Sequence, residues 1–257
     1  MKKLKISVLA LLLVFSCASL SAQDDKKPQM YRVHQDQVKF SMVPEYESII
    51  KELKGLLEKH NIEGTGWLTL NSTNATYAYV SPIKSMADIN NPIFQKLSEK
   101  AGKDVISDLF KRMDKCYDTE TDFILHQDTE LSYTPDGFNQ APEGHDYRNN
   151  HLLYYTPGKR DMIREKMKAI KDLFEKKGSK MHYRVYRSGF GATGEYYMVA
   201  IAAKNAEDYA KKGTENDALI GEDGQKIMGD LFGNLLKHEE VRGEIRRDLM
   251  YVSKKSM

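Results

Sequence analysis

The chain repeats itself, and that restricts its fold more than any single motif does. Leu53-Lys54-Gly55-Leu56-Leu57-Glu58-Lys59 corresponds to Ile170-Lys171-Asp172-Leu173-Phe174-Glu175-Lys176, about a hundred and twenty residues later. Val105-Ile106-Ser107-Asp108-Leu109-Phe110 matches Ile227-Met228-Gly229-Asp230-Leu231-Phe232, and Leu131-Ser132-Tyr133 matches Leu249-Met250-Tyr251. Two helices of similar composition give one such match by chance, whereas three in the same order indicate a duplicated unit.

Each unit reads strand, helix, strand, strand, helix, strand. Tyr31 to Phe40 is strand-like, and Pro44 to His60 puts Tyr46, Ile49, Ile50, Leu53, Leu56 and Leu57 on one helical face. Trp67 to Asn71 and Thr76 to Val80 pair across the polar turn Ser72-Thr73-Asn74. A second helix presents Val105, Ile106, Leu109, Phe110 and Met113, and Phe123 to Thr134 returns as a long strand. The second unit follows with strand His151 to Tyr155, helix Arg160 to Lys177, strands Met181 to Arg187 and Glu195 to Ala202, helix Gln225 to His238 and strand Glu244 to Val252. The order βαββαβ is the split ferredoxin-like unit, an antiparallel sheet with both helices on one face. The expected fold class is therefore α+β: two tandem ferredoxin-like units, residues 31–134 and 148–253, whose antiparallel sheets pack face to face as an intrachain α/β barrel. Residues 135–147, with Pro, Gly and Asn and little apolar content, form the linker.

Residues 1–22 read as a signal peptide, with Lys2, Lys3 and Lys5 as basic n-region, Ile6 to Phe15 as apolar core and Leu20-Ser21-Ala22 as cleavage site before the polar segment 23–30. The apolar run is too short to span a bilayer. The chain is expected to be exported, periplasmic or secreted. Lipidation at Cys17 is the lesser alternative, because Phe15 is bulky where a lipoprotein site carries a small residue. Removal of the leader takes a formal net charge of +2 to −1, which argues against a nucleic-acid partner. It also leaves Cys116 as the only cysteine, so no intrachain disulfide can form.

In its duplicated βαββαβ order from Tyr31 to Val252 the chain resembles the dimeric α/β-barrel (ferredoxin-like) superfamily. That superfamily includes antibiotic-biosynthesis-type monooxygenases, NIPSNAP-like proteins, and haem-handling and chlorite-dismutase-like enzymes. The resemblance lies in element order, with no catalytic motif matched residue by residue. It implies a ligand site between the two sheets and, if the protein is an enzyme, a cofactor-independent monooxygenase or a haem-dependent one.

Side chains alternate across a strand, so each strand divides into a helix-facing and a barrel-facing set. In Met181 to Arg187, Tyr183 and Val185 suit the helices, which leaves His182, Arg184 and Tyr186 facing inward. In the first strand Val33 packs on helices, while Arg32, His34 and Asp36 face inward, and Trp67, Thr69, Tyr77, Tyr79 and Tyr197 join them. Such a lining can orient an anionic or aromatic small molecule, with Arg184 on an anionic group and His182 as proton acceptor or iron ligand. It is equally what two facing sheets bury for packing, with Arg32 paired to Asp36.

The sharper-looking motifs carry less. Gly189-Phe190-Gly191-Ala192-Thr193-Gly194 matches a dinucleotide-binding pattern, but a strand rather than a helix follows it. His34 with Asp36, His145-Asp146 and His238-Glu239-Glu240 lack the spacing that puts two imidazoles on one metal, so no metal is expected. No cofactor is predicted outright; a haem on one axial histidine, His182, His151 or His126, needs no linear motif and stays open. Nothing fixes a reaction. The alternatives are an unknown small molecule held between the sheets, an enzyme of the barrel type, or an envelope interaction module whose loops Ala87 to Lys103 and Lys211 to Gln225 meet a protein partner.

Overall fold

A computed structural model describes residues 28–253; the leader, Cys17 and the first residues of the polar segment lie outside the described residues. The first unit contributes β1 (Met30–Val38), α1 (Val43–Lys59), β2 (Gly66–Ser72), β3 (Thr76–Ile83), α2 (Ile93–Ala101), α3 (Lys103–Met113) and β4 (Tyr117–Tyr133). The second contributes β5 (Tyr147–Tyr154), α4 (Arg160–Lys177), β6 (Tyr183–Ser188), β7 (Tyr196–Ala203), α5 (Ala206–Phe232), β8 (Lys237–Ile245) and the short β9 (Tyr251–Val252). No helix among the described residues is long and apolar enough to cross a membrane.

The strands pair in the order β3-β1-β4-β6-β7-β5-β8-β2, and β2 pairs back to β3, so eight antiparallel strands close into a barrel. Two seams join the units. Strand β4 runs along β6 from Leu125 opposite Ser188 to Asp128 opposite Val185, and β8 runs along β2 through Leu70–Ile245 and Ser72–Gly243. The last strand of each unit thus covers the open edge of the other, which removes the unpaired backbone groups an isolated four-stranded sheet would expose.

Closure creates three apolar layers. An eight-stranded barrel is just wide enough for side chains to fill, and Tyr31, Val33, Ala78, Leu125, Tyr186, Tyr196 and Ala200 fill this one. Outside it, α1 buries Tyr46, Ile49, Ile50, Leu53 and Leu57 against the first unit's sheet, together with Leu97 and Leu109. The equivalent face of α4, Ile163, Met167, Ile170 and Phe174, covers the second. Helix α1 starts with Pro near its N-terminus and Glu45 in its first turn, and α4 ends on the left-handed Gly178, both ordinary boundary chemistry.

Several elements depart from expectation. Helix α5 begins at Ala206, nineteen residues before Gln225, and is broken at Gly221, whose φ of 57° no helix interior allows. The segments expected as docking loops are therefore largely helical, in α2 and α5. The final strand starts at Lys237, not Glu244, because its outer face is exposed and only Val241 and Ile245 turn inward as aliphatic residues, which dilutes the alternation. The G-x-G-x-x-G stretch joins two antiparallel strands, β6 and β7. Gly191 has a φ of 85°, and a Cβ there would collide with the carbonyl oxygen of Asp122, so this glycine lets the hairpin lie against β4.

Candidate functional site

The strand faces decide where chemistry can occur. On β6 they agree with the alternation read from sequence: Arg184 and Tyr186 point into the barrel, and Tyr183 and Val185 into the helix layer. On β1 they are reversed. Tyr31, Val33 and Gln35 line the interior, while Arg32, His34 and Asp36 lie beneath the helices. The same correction applies to Trp67 and Tyr77, which belong to the helix-side core, to Tyr79, which packs against it, to Thr69, whose neighbours Leu68 and Leu70 point inward, and to Tyr197, whose neighbours Tyr196 and Met198 do. The physical reason is width. Tyr31, Tyr186 and Tyr196 already fill the barrel interior, which takes the smaller Val33, Ala78, Val80 and Ala200 beside them, whereas the helix layer has room for Trp67, Tyr77 and Tyr79.

The interior that remains is a cavity of about 130 Å³, below the roughly 300–1,000 Å³ of usual small-molecule sites. Its polar end holds two buried guanidiniums, Arg148 and Arg184. Arg184 donates to the carbonyl of Asn139, and Arg148 donates to the carbonyls of Gln140 (2.8 Å) and Tyr147 (2.9 Å). The linker is thereby drawn over the barrel mouth. Burial, reinforced by Arg184 nearby, pushes Arg148 down to about 10. His182 does not line the barrel cavity; it lines a 420 Å³ space under the linker that Arg184 also borders, with Nδ1 3.6 Å from Asp136.

A third cavity, about 410 Å³ and largely apolar, lies between the first sheet and helices α1 to α3. Ile50, Leu53, Ile93, Phe94, Phe110 and Met113 form one wall, and Arg32, His34, Asp36, Trp67 and Tyr79 stand on the other. Five residues singled out from sequence therefore do share a cavity, on the opposite face of the sheet from the one expected.

A chain of hydrogen bonds runs along that wall. Tyr79 and Tyr46 pair through their hydroxyls at 2.8 Å, and Tyr46 donates to Asp36 Oδ2. Asp36 is 2% exposed, and its Oδ1 lies 3.1 Å from His34 Nε2. His34 Nδ1 reaches Asp122 Oδ2 at 3.2 Å, and Arg32 donates to Asp122 Oδ1 at 2.8 Å. Burial by itself would lower the His34 pKa, but the hydrogen bonds and charges of Asp36 and Asp122 outweigh it and raise it to about 8. Burial would raise Asp122, yet Arg32 and His34 hold it below the usual carboxylate range. Burial also drives the phenols of Tyr46 and Tyr79 well above theirs. Asp122 and Tyr46 were not legible as site residues, the first because it precedes the apolar stretch of its strand, the second because it reads as part of a helical apolar face.

The register of the two units identifies equivalent positions. His34 lies between Tyr79 and Asp122, and His151 lies between Val199 and Glu240. Asp36 lies between Tyr77 and Glu120, and Leu153 between Tyr197 and His238. The alignment that sets Leu53 against Ile170 sets Tyr46 against Ile163. Where the first unit has Asp36, Tyr46 and Tyr79, the second has Leu153, Ile163 and Val199. The second unit's own cavity between sheet and helices is about 280 Å³ and mostly apolar.

A haem with an axial histidine needs a free ring nitrogen facing an apolar space. His151 lines the 280 Å³ cavity, but its Nδ1 meets His238 Nε2 and its Nε2 meets the Tyr209 hydroxyl, each at 3.0 Å. His126 lies against Gly189 at the β4–β6 seam, and His182 faces the polar space under the linker. None of the three presents such a nitrogen in this arrangement, so no step is derived through haem.

No family model matches the sequence, and no curated protein matches it. Solved structures with the same architecture do. One described as an anthrone oxidase-like protein aligns at 10% identity over 91% of this chain and 96% of its own, with a TM-score of 0.59. A putative monooxygenase from Lactobacillus acidophilus NCFM aligns at 10% identity over 88% and 97%, with a TM-score of 0.52. A chlorite dismutase from Candidatus Nitrospira defluvii aligns at 11% over 87% and 93%, with a TM-score of 0.53. At such identities the likeness speaks for the fold: this chain shares with these proteins the architecture of a tandem ferredoxin-like α/β barrel.

Proposed function

We propose that the protein takes a small, mostly apolar molecule bearing a weakly acidic O–H into the 410 Å³ cavity of the first unit and holds it as its anion beside Arg32 and the protonated His34, the acid's own proton passing to solvent. The observation that carries this reading is the joint replacement of Asp36, Tyr46 and Tyr79 by Leu153, Ile163 and Val199 at equivalent positions of the second unit. Packing alone is satisfied by the apolar set, as the second unit demonstrates. A buried polar network costs stability unless every member is bonded, and it is kept most readily where it does chemistry.

The roles follow from the geometry. Both ring nitrogens of His34 face carboxylates, so the ring stands as an imidazolium held between Asp36 and Asp122 at the cavity wall. A pKa near 8 keeps that ring largely protonated at neutral pH. Tyr46 and Tyr79 fix Asp36 from the cavity side, and Arg32 stands at the cavity wall where it attracts the resulting anion. The reading needs no bound cofactor.

Substituted nitrophenols test this directly, because their anions absorb visibly. Wild-type protein is expected to raise the bound phenolate fraction at pH 7, and His34→Ala and Asp36→Asn to abolish the effect while circular dichroism stays native. An unchanged phenolate signal in His34→Ala would remove His34 from the proposed role. Export is proposed alongside: the intact mass of the mature protein should correspond to a chain beginning at Gln23, and one carrying lipid on Cys17 would reverse the preference for plain secretion.

A further inference from the structure

The second unit carries a different set of donors at the positions that hold the acid network in the first. His151 on β5 sits directly across from Glu240 on β8, and His238, two residues before Glu240, shares its face of that strand. His151 Nδ1 is 3.0 Å from His238 Nε2 and 3.9 Å from Glu240 Oε1, and one donor atom from each residue lies within 4.8 Å of the others. We propose that His151, His238 and Glu240 form a site for a divalent transition-metal ion of the zinc type.

Two ligands about 2.0–2.1 Å from a tetrahedral zinc stand roughly 3.3 Å apart, so the observed spacings bracket what a shared ion requires. The surrounding contacts fix each ligand. Tyr209 bonds the far nitrogen of His151 at 3.0 Å, which leaves Nδ1 for the ion. Arg242 holds Glu240 Oε2 at 2.6 and 3.1 Å, and Asn149 approaches the same oxygen at 3.4 Å, so Oε1 is the atom turned toward His151. The His238 ring stacks on His151 at 11° and meets the edge of Phe232 at 84°. Two imidazoles and one carboxylate are a borderline-soft set suited to zinc and its neighbours rather than to calcium or magnesium. Three protein ligands leave a fourth position for water, reached from solvent past the exposed His238.

The first unit marks the contrast. Both nitrogens of His34 are committed to carboxylates, and Arg32 already neutralises Asp122, so the group His34, Asp36 and Glu120 is internally paired. In the second unit Arg32 is replaced by Asn149, Asp36 by Leu153 and Glu120 by His238, which exchanges charge pairing for nitrogen donors. The ligands come from two strands, so no linear motif announces them.

Zinc chloride titrated calorimetrically into chelator-treated full-length protein should bind at one equivalent. His238→Ala and Glu240→Gln, both at exposed positions, should each weaken that binding at least about tenfold, with His60→Ala as a control that leaves it unchanged. In wild-type protein, the ring ¹⁵N resonances of His151 and His238 should shift on the first equivalent, and those of His60 should not. Failure to bind zinc below about 100 μM (about −5.5 kcal/mol), or unchanged affinity in His238→Ala, or shifts that spare His151 and His238, would each overturn the assignment.

Discussion

His34 makes a thermodynamic prediction that is independent of any substrate. Its pKa is about 8 in the folded chain, against 6.5 for an unperturbed imidazole. Since folding raises the value, the folded state binds the proton more tightly than the unfolded state. The resulting stabilisation is fully present below pH 6.5 and is lost as pH rises through 8. At about 1.4 kcal/mol per tenfold change in proton affinity, the displacement amounts to roughly 2 kcal/mol, an upper bound because the imidazole is partly open to solvent. Urea unfolding of wild type and His34→Gln at pH 6 and pH 9 should show the wild-type advantage shrinking by that order between the two conditions. Proton NMR should place the His34 transition near 8, and Asp122→Asn should move it down by removing one of the two carboxylates. A transition at or below 6.5, or a wild-type advantage that does not change with pH, would refute the assignment of Asp36 and Asp122 as the dominant influences.

Other perturbations test neighbouring parts of the argument. Tyr46→Phe deletes the donor to the buried Asp36 and should cost about 1–3 kcal/mol in urea unfolding. An effect under 0.5 kcal/mol would mean that Asp36 finds another partner. Gly191→Ala places a Cβ against the Asp122 carbonyl at positive φ, so a cost of about 1–3 kcal/mol is expected, with a shift in the His34 titration because Asp122 moves. A destabilised variant with an unmoved His34 would separate the hairpin from the site. Arg184→Met strips the donor from the Asn139 carbonyl and should speed proteolysis within residues 135–146, read by mass spectrometry of the fragments. Unaltered cleavage would show that Arg148 and Arg247, which donate to the carbonyls of Gln140, Ala141 and Pro142, hold the linker without it.

Much of the fold was legible because duplication is a pattern over the whole chain and tolerates local errors. The βαββαβ order survives misplacing the start of β8 by seven residues, and the repeat in α1 and α4 survives any error in strand register. Faces are less forgiving, since a one-residue error inverts a strand. On β6 both faces carry bulky residues and Val185 identified the helix side. On β1 the aliphatic Val33 reads as helix-facing, whereas the barrel claims it and leaves Arg32, His34 and Asp36, with Val38, to the helix layer. Asp122 and Tyr46 complete the site from other elements, at sequence distances that no local pattern spans. His151 and His238 meet only because β5 and β8 are neighbours in a closed barrel.

The same closure explains why the helix side, and not the barrel interior, suits ligand traffic. Opening the interior would break ladder hydrogen bonds at a seam or release the linker from Arg148 and Arg184, and each lost buried partner costs about 1–3 kcal/mol. Opening the first unit's outer cavity requires only that short helices separate from a sheet. Helices α2 and α3 are nine and eleven residues long and meet at Gly102, whose φ of 103° interrupts them. Phe94 and Phe110, packed edge to face at 5.1 Å, tie the two helices to each other. A helix pair held by apolar contact and by the exposed bonds from Arg112 to Glu52 and from Lys100 to the His60 carbonyl can swing while its own backbone bonds stay intact, whereas a strand cannot leave a barrel without breaking the ladder on both sides. The acid network of the first unit therefore lies on the face of the sheet that opens at least cost.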